Sequence, residues 1–273
     1  MHKFEIHPLI SSISKILKDN NSLSRGLEIL NEHFSERLTF GCEIEFYVSQ
    51  DAINSANLDD FFKYFHYLQL TRERGNGQFE FRVGPIDDPA LLIQNTTNEI
   101  EKIKYFFARG SSSVFFEPRP HKNDYGNALQ IQFTSKCQKF QNNIEKICST
   151  FCDFARSTFL AYAQTQADYE RFDSNFMAPT HISFGYNNRT CLFRICGDKY
   201  KRIEIRSPSP ICDLYVVFFT IIRTLISYIN QSTRGFYRSI YGNAFDLQYN
   251  LPKIPFTIEE AEKYFDPNLY ENT

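Results

Sequence analysis

The sequence predicts an α+β fold in which one antiparallel-rich sheet carries helices on its apolar side and a polar face opposite them. Two observations predict it. Four stretches alternate charged or amide side chains with bulky apolar ones: Glu43-Ile44-Glu45, Glu80-Phe81-Arg82, Gln130-Ile131-Gln132 and Arg202-Ile203-Glu204-Ile205-Arg206. Successive side chains of a strand point to opposite faces, so each stretch puts its polar residues on one face and its apolar residues on the other. Long segments with apolar residues at helical spacing separate these strands, which suits helices laid over a shared sheet.

Taken in order, helical spacing over about 8 to 18 and 23 to 36, broken at Asp19-Asn20-Asn21-Ser22, gives two opening helices. A strand follows at about 39 to 48. Leu58, Phe61, Phe62, Phe65 and Leu68 place a helix over 58 to 69, leading through Arg72-Glu73-Arg74-Gly75-Asn76-Gly77 into a strand at 78 to 84. Leu92, Ile93, Thr96, Ile100, Ile103 and Phe107 mark a helix from about 89 to 108. Strands at 113 to 117 and 128 to 134 precede a helix from about 138 to 164, striped by Phe140, Ile144, Ile147, Phe151, Ala155 and Phe159. Strands at about 180 to 186, 190 to 196 and 200 to 206 lead to an apolar helix over 210 to 229. Near the end, Thr257 and Glu260 form a capping box for a short helix through Phe265. No repeat or linker interrupts the chain, so a helical segment (1–38) and one domain (39–273) are expected.

Composition narrows the function. With 273 residues and 42% hydrophobic content the chain can bury a full core. Its formal net charge is -2 and its basic residues form no run, which argues against a nucleic-acid surface. The 28 Phe and 16 Tyr read as core and show no base-stacking spacing. Seven cysteines without CxxC spacing suit a reducing, cytoplasmic setting, and Cys148 and Cys152 read as buried thiols. The N-terminus has no apolar core of a secretory signal, and the run Ile211 to Ile229 contains Asp213 and Arg223, so a core helix is expected there and no membrane partner.

The polar sheet face carries the chemistry. Glutamates gathered on one surface repel one another unless cations or a cationic ligand sit among them. Placed arginines beside them suit an anion. Glu99 with Lys102 reads as an ordinary surface ion pair, and His181 as a packed or solvated strand residue.

Several motifs occur in register: Gly41-Cys42-Glu43-Ile44-Glu45-Phe46-Tyr47, Glu73 with Gly77-Gln78-Phe79-Glu80, Asn188-Arg189-Thr190 with Arg194, and Arg202-Ile203-Glu204-Ile205-Arg206-Ser207-Pro208-Ser209-Pro210. Together they resemble the catalytic domain of glutamine synthetases over about residues 40 to 265. The resemblance implies a curved sheet enclosing ATP, Mg²⁺ or Mn²⁺ ions and glutamate, with the γ-carboxylate phosphorylated and then attacked by an amine. It assigns Glu45, Glu73 and Glu80 to the metal near the acyl substrate, and Glu43 and Glu204 to the metal on the ATP phosphates. Arg189, Arg194 and Arg202 match arginines on phosphate groups, and Arg206 one that contacts the substrate carboxylate and phosphoryl group. Arg171, eight residues before Pro179, matches a substrate-carboxylate arginine, and Gly126 a glycine lining the glutamate pocket. Guanidinium forks suit these tasks because they bind carboxylate and phosphate in bidentate fashion.

Three departures reshape the expectation. Gln130 stands where the family has a histidine ligand of the ATP-side metal, and Gln132 where a second histidine lies nearby. An amide oxygen still ligates Mg²⁺, with weaker affinity or altered preference. Met177 stands where a flap glutamate handles ammonium, and a thioether is no base, so a larger and more apolar amine is expected. Only some 38 mostly helical residues precede the first strand, so neither the family's β-grasp domain nor its ring oligomer is expected. Small carboxylate-amine ligases of the same superfamily share that economy. Two alternatives stay open: a non-catalytic binder of nucleotide or amino acid, and phosphoryl transfer to a guanidino acceptor.

Overall fold

A computed structural model of the chain describes residues 4–19, 21–53, 57–110, 112–231 and 237–271. Helices α1 (Pro8–Asp19) and α2 (Ser22–Phe34) precede strand β1 (Thr39–Val48), followed by α3 (Gln50–Ile53), α4 (Asn57–Tyr64), β2 (Thr71–Arg72), β3 (Gln78–Ile86) and α5 (Pro89–Arg109). The chain continues through β4 (Val114–Phe115), β5 (Leu129–Thr134), α6 (Gln138–Asn142), α7 (Ile144–Tyr162), β6 (Phe184–Tyr186), β7 (Phe193–Cys196) and β8 (Arg202–Ile205). Helices α8 (Leu214–Ile229) and α9 (Ile258–Tyr264) complete it.

The strands form one open sheet in the order β2-β3-β1-β5-β8-β7-β6, with β4 paired to the end of β1. Every pair is antiparallel except β6 with β7, so the expected α+β class and antiparallel-rich sheet are what the chain adopts. Register decides which residues meet. Glu45 faces Glu80 and Glu43 faces Arg82 across β1 and β3, Glu43 faces Gln130 across β1 and β5, Gln132 faces Glu204, and Glu204 faces Arg194. A slip of one residue would send all of them into the core.

The opposite face is apolar and wholly covered. Phe40, Ile44, Phe46, Phe81, Ile131, Phe133, Ile203 and Ile205 are buried there. Phe40 meets Phe218 of α8 edge-on at 5.8 Å, and Phe133 meets Phe151 of α7 at 5.5 Å. Phe46 stacks on Phe116 at 5.3 Å. Helix α8 is buried nearly all round because α1 and α2 pack on its outer side, closing Ile10, Leu17, Leu23 and Leu30 into the same core. Cys148 and Cys152 of α7 are buried thiols, with burial holding both well above the usual thiol range. Among the described residues no helix is long and apolar enough to cross a membrane.

Local chemistry moved several boundaries. The helix expected over 58 to 69 ends at Tyr64 and passes through a 3-10 turn, His66–Leu68, to Gln69 in the left-handed region at φ 48°. The helix expected over 138 to 164 breaks at Asn143 into α6 and α7. α8 starts at Leu214 rather than 210 because the Asp213 side chain accepts from the Tyr215 and Val216 amides. The strands expected at 180 to 186 and 190 to 196 shrink to Phe184–Tyr186 and Phe193–Cys196. Between them Asn188 accepts from the Thr190 amide and hydroxyl, and donates to the Ile240 and Gly242 carbonyls, fixing a turn. The capping box is half formed: Thr257 accepts from the Glu260 amide at 3.1 Å, but the Glu260 carboxylate accepts from Phe256 rather than Thr257.

Candidate active site

The sheet's polar face gathers the charged residues singled out above. Glu45 is anchored by β5 and the residue before it: its carboxylate accepts from the Ala128 amide at 2.8 Å and from the Gln130 side-chain amide at 2.9 Å. Glu73 comes from the loop between β2 and β3, held by its own amide donating to the Gln78 carbonyl at 3.0 Å, and lines the same cavity as Glu45. Glu80 is almost wholly buried, at 3% exposure. Burial and the nearby Glu43, Glu45 and Glu73 charges push its carboxyl up to about 8. Burial and Glu73 likewise push Glu45 up to about 7, and burial together with Glu204 raises Glu43. These carboxyls are held close enough, and dry enough, to resist sharing negative charge.

Glu204 is buried at the middle of the arginine cluster. Arg194 Nη1 lies 3.3 Å from its Oε2, Arg206 Nε lies 3.5 Å from its Oε1, and Gln132 donates to it at 3.4 Å. Arg202 in turn donates to Gln132 Oε1 at 2.6 Å, so Gln132 links an arginine to a carboxylate. Arg206 also donates to the Arg189 carbonyl, which ties the loop holding Arg189 to the end of β8. The register makes this network: β7, β8 and β5 are adjacent, and each contributes its outward side chain.

Arg171 is 3% exposed and donates through Nη2 to the carbonyls of Arg206, Ser207 and Pro208. Its Nε is buried without a hydrogen-bond partner, and burial pulls its pKa down to about 10. Among the described residues no carboxylate forms an ion pair with Arg171 or Arg189. Both line one cavity with Glu45, Glu73, Gln130 and Arg206. Gly126 closes that cavity against Arg171, where a Cβ would stand 2.6 Å from the Arg171 Cβ. Met177 lies at its mouth beside Phe176, Ala178 and Pro179, with Met177 in the left-handed region at φ 60°.

Most of the expected residues line two cavities, while Glu80, Arg194 and Glu204 line neither. The first, of about 70 Å³, holds Glu45, Glu73, Gln130, Arg171, Arg189, Arg206, Gly126 and Met177. The second, of about 410 Å³, is lined by Glu43, Arg82, Gln132, Lys136 and Arg202. A groove of about 440 Å³ near Tyr64, Tyr105 and Phe106 lies on the helical side and contains none of these residues. His181 is outside both site cavities: it bridges to Lys253, sits beside Phe245, and burial lowers its pKa, so it supplies no imidazole to the site. Glu99 and Lys102 form the expected ion pair at 2.7 Å on α5.

Sequence reasoning passed over three contributors. Gln78 donates to the Gly126 carbonyl and the Asn127 side chain and accepts from the Gly75 amide, bracing the floor of the first cavity. Tyr125 packs edge-on against Phe176 at 5.5 Å, joining two loops at the mouth. Arg82 places Nε 3.0 Å from Glu43 Oε1 and 3.2 Å from Glu80 Oε1. Its position in Glu80-Phe81-Arg82 put it on the polar face from the start, and that alternation was the available signal.

Hard divalent cations take oxygen ligands, and this face offers carboxylates and an amide whose repulsion such an ion would relieve. The donors fit in kind at Glu45, Glu73 and Glu80. Two features oppose a ready-made site. Among the described residues no three His, Cys, Asp or Glu side chains converge as a metal-holding group, and Arg82 already stands between Glu43 and Glu80.

Comparison with known proteins bears on the family and the fold. Residues 65–270 match the family described as glutamine synthetase, catalytic domain. The γ-glutamylputrescine synthetase PuuA of Escherichia coli K12 is 21% identical over 203 residues, which cover 70% of this chain and 42% of that protein. A glutamine synthetase of Thermotoga maritima is 39% identical over 116 residues, covering 42% of this chain and 23% of that protein. The solved structure titled GmaS/ADP complex superposes with a TM-score of 0.75 at 16% identity, over 91% of this chain and 68% of that one, a likeness of fold. The chain spans less than half the length of these curated relatives. With its motifs on one sheet face and three quarters of its length matched, the chain belongs to the glutamine synthetase catalytic-domain family.

Proposed function

We propose that the chain is an ATP- and Mg²⁺- or Mn²⁺-dependent carboxylate-amine ligase that activates a glutamate γ-carboxylate, or a similar acid, for attack by an amine other than ammonia. The observation that carries this reading is the polar sheet face on which successive rungs pair Glu80 with Glu45, Arg82 and Gln130 with Glu43, and Gln132 and Arg194 with Glu204, beside a cavity holding two arginines unpaired with any described carboxylate. Relatives named γ-glutamylputrescine synthetase and γ-glutamylethanolamide synthetase support an amine acceptor.

Arg171, buried beside Gly126, binds the acid's carboxylate, with its fork fixed by three backbone carbonyls. Arg202, from the second cavity, and Arg194, beside Glu204, hold the nucleotide phosphates, and Arg189 and Arg206 face the transferring phosphoryl group. The γ-phosphoryl passes from ATP to a carboxylate oxygen, giving ADP and an acyl phosphate. The amine nitrogen then attacks the acyl carbon, loses a proton and expels phosphate. Glu45, Glu73 and Glu80 would hold the ion on the acid's side, and Glu43, Glu204 and Gln130 the ion on the phosphate side; such ions would supply charge neutralisation for the phosphoryl group. Positioning and charge stabilisation by the arginines make up the protein's own share.

Met177, Phe176, Ala178 and Pro179 make the cavity mouth apolar, which suits the carbon chain of an amine better than hydrated ammonium. The test is release of ADP and phosphate with glutamate and a panel of amines, with Glu80→Ala as control. Amine-dependent release lost in that variant supports the reading. No release with any amine, together with an unchanged background in Glu80→Ala, would sink it and favour a nucleotide-binding protein without ligase chemistry.

A further inference from the structure

We propose that Arg82 is a tethered counter-cation: its guanidinium holds the junction between Glu43 and Glu80, and a divalent ion enters this end of the site only by displacing it. The proposal rests on the ligase reading above, which gives those carboxylates to metal. Register brings the three groups together. Arg82 lies directly opposite Glu43 across β1 and β3, and Glu80 is two residues earlier on the same face of β3. One nitrogen serves both acids, with Nε 3.0 Å from Glu43 Oε1 and 3.2 Å from Glu80 Oε1, while Nη2 adds a contact of 3.1 Å to Glu80.

The choice of arginine matters. A guanidinium keeps its charge at every working pH, so this cation leaves the junction only by moving bodily. Room to move exists, because the Arg82 side chain is 46% exposed whereas Glu43 and Glu80 are 13% and 4% exposed. It borders the second cavity, whose lining by Gln132, Lys136 and Arg202 leaves open space on that side. A fixed positive charge a few ångströms from a carboxylate pair competes directly with any other cation for the same oxygens. Yet among the described residues Arg82 pairs with Glu43 and Glu80 and forms no ion pair with Glu45 or Glu73. The arrangement therefore weakens metal binding at one end of the acid row and leaves the other end open.

The test measures Mn²⁺ binding, by loss of the free-ion paramagnetic resonance signal, to the full chain and to Arg82→Gln, Arg82→Lys and Arg82→Gln/Glu80→Gln. Arg82→Gln is expected to bind Mn²⁺ about tenfold more tightly, or to take up an additional ion. Arg82→Lys, which keeps a cation, should stay near the parent chain, and the double variant should lose the gain. Binding by Arg82→Gln no tighter than the parent, or a gain that survives Glu80→Gln, overturns the proposal. ADP release measured in parallel separates the two readings. Tighter Mn²⁺ binding in a chain that makes no ADP supports the counter-cation and removes the ligase, whereas an active ligase whose Mn²⁺ affinity ignores Arg82→Gln removes the counter-cation alone.

Discussion

Glu45 and Glu80 are register partners on neighbouring strands, so a half-buried and a buried carboxylate share one spot on the sheet. Their folded-state pKa values stand at about 7 and about 8, raised from 4.5 chiefly by burial. A carboxyl raised in the folded state binds protons there that the unfolded chain has released, so its contribution is complete below the unfolded value and is lost as pH rises through the folded one. Chelator-treated protein should therefore lose stability between about pH 5 and about pH 8. Thermal unfolding checks this. Glu80→Gln should flatten the decline and raise the melting temperature at the alkaline end, and added Mn²⁺ should do the same for the parent chain. An equal decline in Glu80→Gln would show that its carboxyl is not the source.

Gly126 and Arg171 give a prediction about the acid. A Cβ at Gly126 would lie 2.6 Å from the Arg171 Cβ and 2.9 Å from the Pro118 carbonyl oxygen, so Gly126→Ala must push Arg171 or the loop aside. Overpacking of this kind costs about 1–3 kcal/mol of stability. The KM for the acid should rise about tenfold while the KM for ATP holds, because the displaced fork faces only the first cavity. Steady-state kinetics with each substrate varied in turn would read the split. A parallel rise in both constants would mean general disruption.

Met177 sets the amine. Replacing its thioether with a carboxylate, Met177→Glu, puts negative charge at an otherwise apolar mouth beside Phe176 and Pro179. Ammonium should gain and apolar amines lose, shifting the ratio of their kcat/KM values by about tenfold or more toward ammonia. Competition between ammonium and a short alkylamine in one reaction is the direct measurement. An unchanged ratio would place the amine somewhere other than this mouth.

The sheet was readable in the sequence because each site strand alternates strictly. Once Ile44, Phe81, Ile131 and Ile203 are buried, Glu43, Glu80, Gln130 and Arg202 have no choice of face. Strand order and register were not readable, since they depend on contacts between residues far apart in the chain. That is why the Glu43, Glu80 and Arg82 junction appeared only in three dimensions. Arg82 looked like any arginine on a strand, and nothing local says which carboxylates lie across the ladder. Boundaries failed where one side chain competes with the backbone pattern, as Asp213 does in delaying α8 and Asn188 in ending β6. His181, read as a packed or solvated strand residue, lies outside the site cavities and bridges to Lys253.

The opening helices carry the last prediction. Gly26 of α2 lies so close to α8 that a Cβ there would stand 2.4 Å from Ile222 Cγ2, and Ile222 is fully buried. Gly26→Ala gains helix propensity of about 1 kcal/mol but overpacks the interface, and strain of about 1–3 kcal/mol should prevail. Ile222→Ala should cost about 2–5 kcal/mol by leaving a cavity. Combined, the added methyl enters the space that Ile222 vacates, so the double variant should be more stable than the sum of the single losses allows, by about 1 kcal/mol or more. Urea unfolding of the four proteins closes the cycle. Strict additivity would mean that α2 does not press on α8 at Gly26 in solution.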